Sequence, residues 1–316
     1  YVDYFGYYLV CYDNIFKRER GSNVAIVKFN GGIGNQLFQY SFYKYCKDKE
    51  ITIYADTTAY KKTKIHGGFL LNEVLPRNTL IEVAENVDQY YQNFNFFQRA
   101  YNKVFHHVGN HYYENYFKDW RDIIPFLQFK PDCYLEGWWQ YLEIAMWARP
   151  DITREKCKIE NCLKPSEMYF LDKIRSSESV SVHIRRGDYL LHNNLYGNIC
   201  TEAYYDVAIR ELMAQLNSAT FFIFSDDEEF CRKKFVGERF IVIPSANSER
   251  AYIDMLLMSE CKHHIVANSS FSWWGTMLAE NYGIVIMPSK YNNLKQSNDL
   301  AIPGSILIDN TGKMTR

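Results

Sequence analysis

Val24-Ala-Ile-Val-Lys-Phe29 runs straight into Asn30-Gly-Gly-Ile-Gly34 and then into Asn35-Gln-Leu-Phe-Gln-Tyr40. Apart from Lys28, the first six residues are apolar or β-branched, which predicts a short buried strand. The glycines after it predict a tight loop, because they accept backbone angles closed to other residues. Beyond the loop, Leu37, Phe38, Phe42, Tyr45 and Cys46 fall on one side of a helix from about Asn35 to Lys47. Ile51-Thr-Ile-Tyr-Ala-Asp56 reads as the next strand. Strand, glycine loop, helix, strand is the βαβ unit of a parallel sheet, so the fold class is α/β.

Outward from this unit, residues 85–130 are aromatic and weakly periodic and read as helical, and Cys133 to Trp138 reads as a further strand. Helical character over Pro165 to Arg175 leads to a fresh start. From Ser179 to Arg185, Val180, Val182 and Ile184 alternate with Ser181, His183 and Arg185, the period of a strand. Tyr205, Ala208, Ile209, Leu212, Met213 and Leu216 then keep a helical period. Strand-like runs at Thr220–Phe224, Phe240–Ile243, His264–Ala267 and Ile284–Met287 alternate with helical segments, as in a second doubly wound unit. The predicted organisation is an extension over 1–23, one Rossmann-like domain over 24–175 and a second over 176–316, with a cleft between them.

The 316 residues suit two domains better than one core. Lys and Arg number 36 against 37 Asp and Glu, a balance that argues against a nucleic-acid partner. Eight scattered cysteines, without a second pair at zinc-ligand spacing, read as free thiols of a reducing cytoplasm. The aromatic start, Tyr1 to Phe16, is too short to span a bilayer, and its basic residues follow rather than precede it. An arm packed on the body, or a peripheral contact with a membrane surface, are its two readings.

Four constellations carry chemistry. Gly31-Gly-Ile-Gly-Asn-Gln36 opens a helix, where N–H groups favour an anion; Gly32 and Gly34 let the backbone come close, and Asn35 and Gln36 add neutral donors. A plain tight turn is the bland reading. His183-Ile-Arg-Arg-Gly-Asp188 sits at the carboxyl end of a strand, where open α/β sheets bind ligands. Arg185 and Arg186 suit phosphate oxygens, against a pair tied to surface acids. Ser225-Asp-Asp227 either holds a divalent ion or caps the next helix and orients an arginine; the preference of Ser and Asp for helix starts favours the cap. Asn268-Ser-Ser-Phe-Ser-Trp-Trp-Gly275 places three hydroxyls at another helix start, with Trp273 and Trp274 expected in the core.

Taken together and in this order, these motifs resemble the alpha-1,2-fucosyltransferase family, over most of the chain from Val24 onward. The resemblance implies a GT-B fold and an inverting, metal-independent transfer of L-fucose from GDP-fucose, with no cofactor beyond that donor. It implies a galactose-terminated oligosaccharide acceptor, lipid-linked or free, in a bacterial surface glycan made on the cytoplasmic side. By similarity, Arg185 meets the diphosphate with Arg186 beside it in a structural or supporting role, and His183 and Asp254 lie near the ribose and guanine. Ser269, Ser270, Phe271 and Ser272 belong to the phosphate cradle, and the Gly32-to-Gln36 loop closes from the other domain, bringing Asn35 to the reacting sugar. Asp188 is either the base for the acceptor hydroxyl or a group that orients the arginines or caps the loop. His192 is a weaker base candidate, and Asn35, acting by hydrogen bond or through water, would need no carboxylate. Another nucleotide sugar, or GDP binding without turnover, are the competing readings.

Overall fold

The computed structural model describes residues 24–62, 65–75, 81–84, 87, 96–130, 132–187 and 194–315. The extension over 1–23, Asp188 and His192 lie outside them.

The opening unit forms as its pattern requires. Strand β1 (Val24–Lys28) pairs in parallel with β2 (Thr52–Asp56), Val24 opposite Thr52, and helix α1 (Ile33–Asp48) makes the crossover. β5 (Cys133–Glu136) pairs in parallel on the other side of β1. The hairpin of β3 (His107–Val108) and β4 (His111–Tyr113) completes a five-stranded sheet in the order β2-β1-β5-β4-β3. Short helices α2 (Ala59–Lys62) and α3 (Leu71–Val74) follow β2.

The aromatic middle is not simply helical. It holds α4 (Phe96–Phe105) and α5 (Ile123–Phe129), with the β3–β4 hairpin and two 3-10 turns between them. Tyr112 packs edge-on to Tyr116 and Phe126, with ring centroids 5.0 and 4.9 Å away. Such ring clusters satisfy burial without a helical period, so the sequence there carries little periodic signal.

The second sheet has seven strands. They are β6 (Glu178–Ile184), β7 (Ala219–Ser225), β8 (Phe240–Val242), β9 (His263–Ile265), β10 (Val285–Pro288), β11 (Ile306–Ile308) and β12 (Met314–Thr315). Their order is β12-β11-β10-β9-β6-β7-β8, parallel except for β12. β6 is an interior strand between β9 and β7, and it is buried on both faces, including the polar one. Ser181 is satisfied there by the His264 ring, Oγ to Nδ1 2.8 Å. The alternation in this strand therefore separates two buried faces, not core from solvent.

Helices α6 (Leu142–Glu155) and α7 (Pro165–Arg175) join the two sheets. α8 (Glu202–Gln215), α9 (Glu228–Lys234), α10 (Ala251–Ser259) and α11 (Ser270–Met277) serve the second. The halves are fastened together. Phe38 of α1 lies 4.8 Å from Trp273 and 5.4 Å from Trp274, both fully buried, and one hydrophobic cluster runs through both halves. Arg149 of α6 donates to the Met277 and Ala279 carbonyls at 3.0 and 2.7 Å, a cation at the C-terminal end of α11. No helix among the described residues is long and apolar enough to cross a membrane.

Candidate active site

A cavity of about 500 Å³ opens between the two sheets. From the first half, Gly32, Ile33, Gly34, Asn35, His66, Trp138 and Gln140 line it. From the second come His183 and Arg185 at the end of β6, Phe224 to Asp226 at the end of β7, Ser245 and Ala246 after β8, Asp254 on α10 and Ser269 to Phe271 at the start of α11. The second set gathers at the carboxyl ends of parallel strands, where a doubly wound sheet leaves backbone donors and helix N-termini facing outward.

The glycine loop is built to approach the opposite wall. Gly31 has φ +76°, the left-handed region that favours glycine. At Gly34 a Cβ would stand 2.5 Å from the Ser270 carbonyl carbon and 2.6 Å from the Phe271 nitrogen, so only a hydrogen fits. The two helix starts, α1 and α11, thus meet backbone to backbone across the cleft. Gln36 turns away from the cavity and is buried: its Nε2 donates to the Gly31 and Gly68 carbonyls, and its Oε1 accepts from Leu70 and Leu71 N–H. It fixes the loop instead of touching a ligand, a correction forced by four saturated hydrogen bonds.

The two arginines part company. Arg185 is a quarter exposed, faces the cavity and is oriented by Asp226, Nη1 to Oδ2 2.9 Å. Arg186 points to the other side of the strand end, its guanidinium 3.7 Å over the Phe230 ring and its Nε 3.0 Å from Asp227. It lines a second hollow of about 300 Å³, which Arg185 also borders, and not the cleft, so of the two arginines only Arg185 reaches the cleft. Both lie just past the end of β6, and their different aspartate partners, Asp226 for Arg185 and Asp227 for Arg186, set their directions. Both aspartates are committed. Asp227 caps α9 by accepting the Phe230 N–H at 3.1 Å, and Asp226 also accepts the Arg186 N–H at 2.9 Å. The capping reading of Ser225-Asp-Asp227 holds here. Among the described residues no three His, Cys, Asp or Glu side chains converge in a metal-binding group.

Ser269 caps α11, accepting the Phe271 N–H at 3.3 Å, and Ser269, Ser270 and Phe271 line the cavity. Ser272 does not. It is fully buried, with its hydroxyl held between Ala267 and Ser269, so the expected cradle loses one of its three hydroxyls. Asn268 is buried as well and donates to the Tyr196 and Tyr291 carbonyls, fastening two loops at the cavity edge.

Two enclosed titratable groups shape the electrostatics. His183 is held neutral, its pKa pushed down to about 3 by burial and then by Arg185, and its Nδ1 has no hydrogen-bond partner. Asp254 moves the other way, to about 7, because burial outweighs the single N–H it receives from Ala246 at 3.3 Å. An enclosed carboxylate with so little compensation is a strong acceptor awaiting donors.

Residues that the motifs did not flag complete the cavity. His66 lies in the left-handed region (φ 55°) just before Gly67, which packs on the Ser248 carbonyl. Trp138 and Gln140 stand just beyond β5, where their signal was only a strand end. Among the residues expected at the site, Gly32, Gly34, Asn35, His183, Arg185, Asp254, Ser269, Ser270 and Phe271 come together; Gln36, Arg186 and Ser272 do not.

The family model for Glycosyl transferase family 11 matches residues 23–302. The chain belongs to glycosyl transferase family 11. The alpha-1,2-colitosyltransferase of Escherichia coli is 32% identical to it over 294 residues, 87% of this chain and 95% of that protein. Galactoside alpha-(1,2)-fucosyltransferase 1 of Sus scrofa is 32% identical over 109 residues, 33% of this chain and 30% of that protein. Arabidopsis thaliana FUT1, solved in complex with GDP, shares the fold at 8% identity with a TM-score of 0.50, over 87% of this chain and 73% of that one. This family 11 transferase has the GT-B fold, two Rossmann-like units facing a cleft.

Proposed function

We propose that this transferase moves L-fucose from GDP-β-L-fucose to the 2-hydroxyl of a terminal galactose, with inversion and without a metal. The observation that carries this is Arg185, aimed into the cleft at the end of β6 and facing the glycine loop of the other half. In a single displacement the acceptor oxygen attacks C1 of the fucose opposite the diphosphate. The C1–O bond breaks, its electron pair leaves on GDP, and the acceptor hydroxyl's proton passes to solvent. Charge therefore grows on the diphosphate as the sugar becomes oxocarbenium-like. Arg185 and the N–H groups opening α1 and α11 stand ready to neutralise it, a preorganised contribution worth about 10²–10³ in rate for one lost contact. His183 lies beside them as a neutral donor or acceptor. Asp254 is suited to take the two N–H donors of guanine. Asn35 is positioned by Gln140, which donates to its Oδ1 at 3.0 Å, and is suited to a hydroxyl of the reacting sugars.

A second donor has a specific observation in its favour. The Escherichia coli colitosyltransferase matches over nearly its whole length, and colitose is L-fucose without its 3-hydroxyl. One experiment addresses both. GDP release is measured in EDTA from GDP-fucose and from GDP-colitose, with and without lactose, for the wild type and Arg185→Ala. Lactose-dependent release that survives EDTA and falls at least about a hundredfold in the variant is the expected result. Release that stops in EDTA removes metal independence, and equal release by the variant removes Arg185 from the diphosphate.

A further inference from the structure

Glu114 is a half-buried carboxylate, and among the described residues no lysine or arginine makes an ion pair with it. Its pKa is raised by burial, an unfavourable setting for a charge. What it holds is backbone: it accepts the Trp138 N–H at 2.8 Å, and engages the Trp139 N–H and the Tyr141 hydroxyl as well. Gly137 leaves room for it, since a Cβ there would stand 2.5 Å from the Glu114 side chain. The segment so held is strained. Trp139 has φ +53° although it is a bulky residue, and it is anchored by full burial and by stacking on Phe42 at 4.2 Å and 8°.

The consequence of that strain is the direction of Trp138. While its neighbour enters the core, its own indole turns into the cavity, 44% exposed, and lies over Gly31, where a Cβ would be 3.0 Å from the ring. Beside it stand the paired amides of Asn35 and Gln140. This wall offers an aromatic face and neutral hydrogen-bonding groups, whereas the opposite wall carries Arg185, Asp226 and Asp254.

We propose that Trp138 is the platform for the acceptor sugar. The indole face is electron-rich and attracts the weakly positive C–H groups of a pyranose. In galactose the axial 4-hydroxyl leaves C3, C4 and C5 hydrogens together on one face, which suits this surface. The Asn35 and Gln140 amides then meet the hydroxyls at its edge. Glu114 acts as a positioning residue, through the Trp138 backbone. The inference rests on the transferase reading above and adds to it the surface that receives the acceptor.

The test varies methyl β-D-galactopyranoside and lactose at saturating GDP-fucose, and measures GDP affinity separately. Trp138→Ala is expected to raise the KM for both galactosides about tenfold, with GDP affinity within about twofold of wild type. Trp138→Phe, which keeps a ring, is expected to recover most of that loss. An acceptor KM unchanged in Trp138→Ala, or a loss of GDP affinity equal to the rise in KM, overturns the assignment. A wild type that transfers to neither galactoside overturns the function itself and this inference with it, so the wild-type arm separates the two failures.

Discussion

Replacing Asp254 with asparagine is expected to stabilise the empty protein and to weaken its hold on the nucleotide. The folded pKa of Asp254 is about 7, raised by burial, so between about pH 4 and pH 7 the native state binds a proton that the unfolded chain has already released. Stability from this group is thus intact below about pH 4 and falls as pH rises to about 7. The shift of about 3 pKa units corresponds to about 4 kcal/mol lost by pH 8. The asparagine carries no charge, so at pH 8 the variant should melt about 6 °C higher, and near pH 5 the gap should shrink to about 2 °C. Binding should run the other way. Guanine offers two N–H donors, and charge-assisted bonds of this kind are worth about 1.5–3 kcal/mol each, so the variant should bind GDP-fucose at least about a hundredfold more weakly at pH 8. In the wild type the carboxyl must lose its proton to accept both donors, so affinity should fall about tenfold per pH unit below 7. The diphosphate diester of GDP-fucose does not titrate in that range, and loss of the slope in Asp254→Asn assigns it to Asp254 and not to the cavity histidine His66. Thermal melting and titration calorimetry from about pH 5 to 8 measure both effects. Affinity that is flat with pH in the wild type, or unchanged in Asp254→Asn, refutes the guanine contact; equal melting at pH 8 refutes the buried charge.

Other substitutions separate contact from support. Arg185→Lys keeps the charge but not the planar fork, and is expected to lower kcat about tenfold to a hundredfold while Arg186→Lys changes it little; steady-state rates decide. Gly34→Ala forces a methyl against the Ser270 and Phe271 backbone, so kcat/KM should drop more than about tenfold, with about 1–3 kcal/mol of stability lost, read by kinetics and denaturant melts. Ser272→Ala removes a buried hydroxyl that serves only the Ala267–Ser269 turn, and should cost about 1–2 kcal/mol without moving the KM for GDP-fucose.

The fold was legible where a single rule governs. Val24–Lys28 with its glycine loop, and Pro165–Arg175 with proline at the first helical position, form where the pattern places them. Residues 142–155 were not flagged, because Pro150 sits inside α6 and reads as a break. The hairpin at 107–113 is hidden for a different reason: its histidines and tyrosines pack ring on ring, with no alternation to mark a strand. At the site, the motifs gave the residues but not their directions. Arg185 and Arg186 are chemically alike, and only their partners beyond the end of β6, Asp226 for one and Asp227 with Phe230 for the other, distinguish them. Ser269 and Ser272 are alike as well, and the turn of α11 decides which hydroxyl is buried.

The walls of the cleft differ in how they could have been found. Anion recognition uses residue types that announce themselves: arginine at a strand end, serine at a helix start, glycine where backbones meet. On the other wall only Asn35 belongs to a motif; Trp138 and Gln140 are ordinary in a sequence, and their placement depends on contacts far along the chain. Glu114 reaches Trp138 across 24 positions, and Gln140 reaches Asn35 across 105. Neither link leaves a local pattern. Gln39 adds a third, donating to the Gly137 carbonyl at 3.2 Å while its Oε1 accepts the Asn30 N–H, so the glycine loop and the Trp138 turn are set by one side chain. A change at Gln39 should therefore disturb both walls at once, whereas a change at Glu114 should reach only the Trp138 side; the difference between the two in GDP affinity measures how far the donor and acceptor surfaces share a frame.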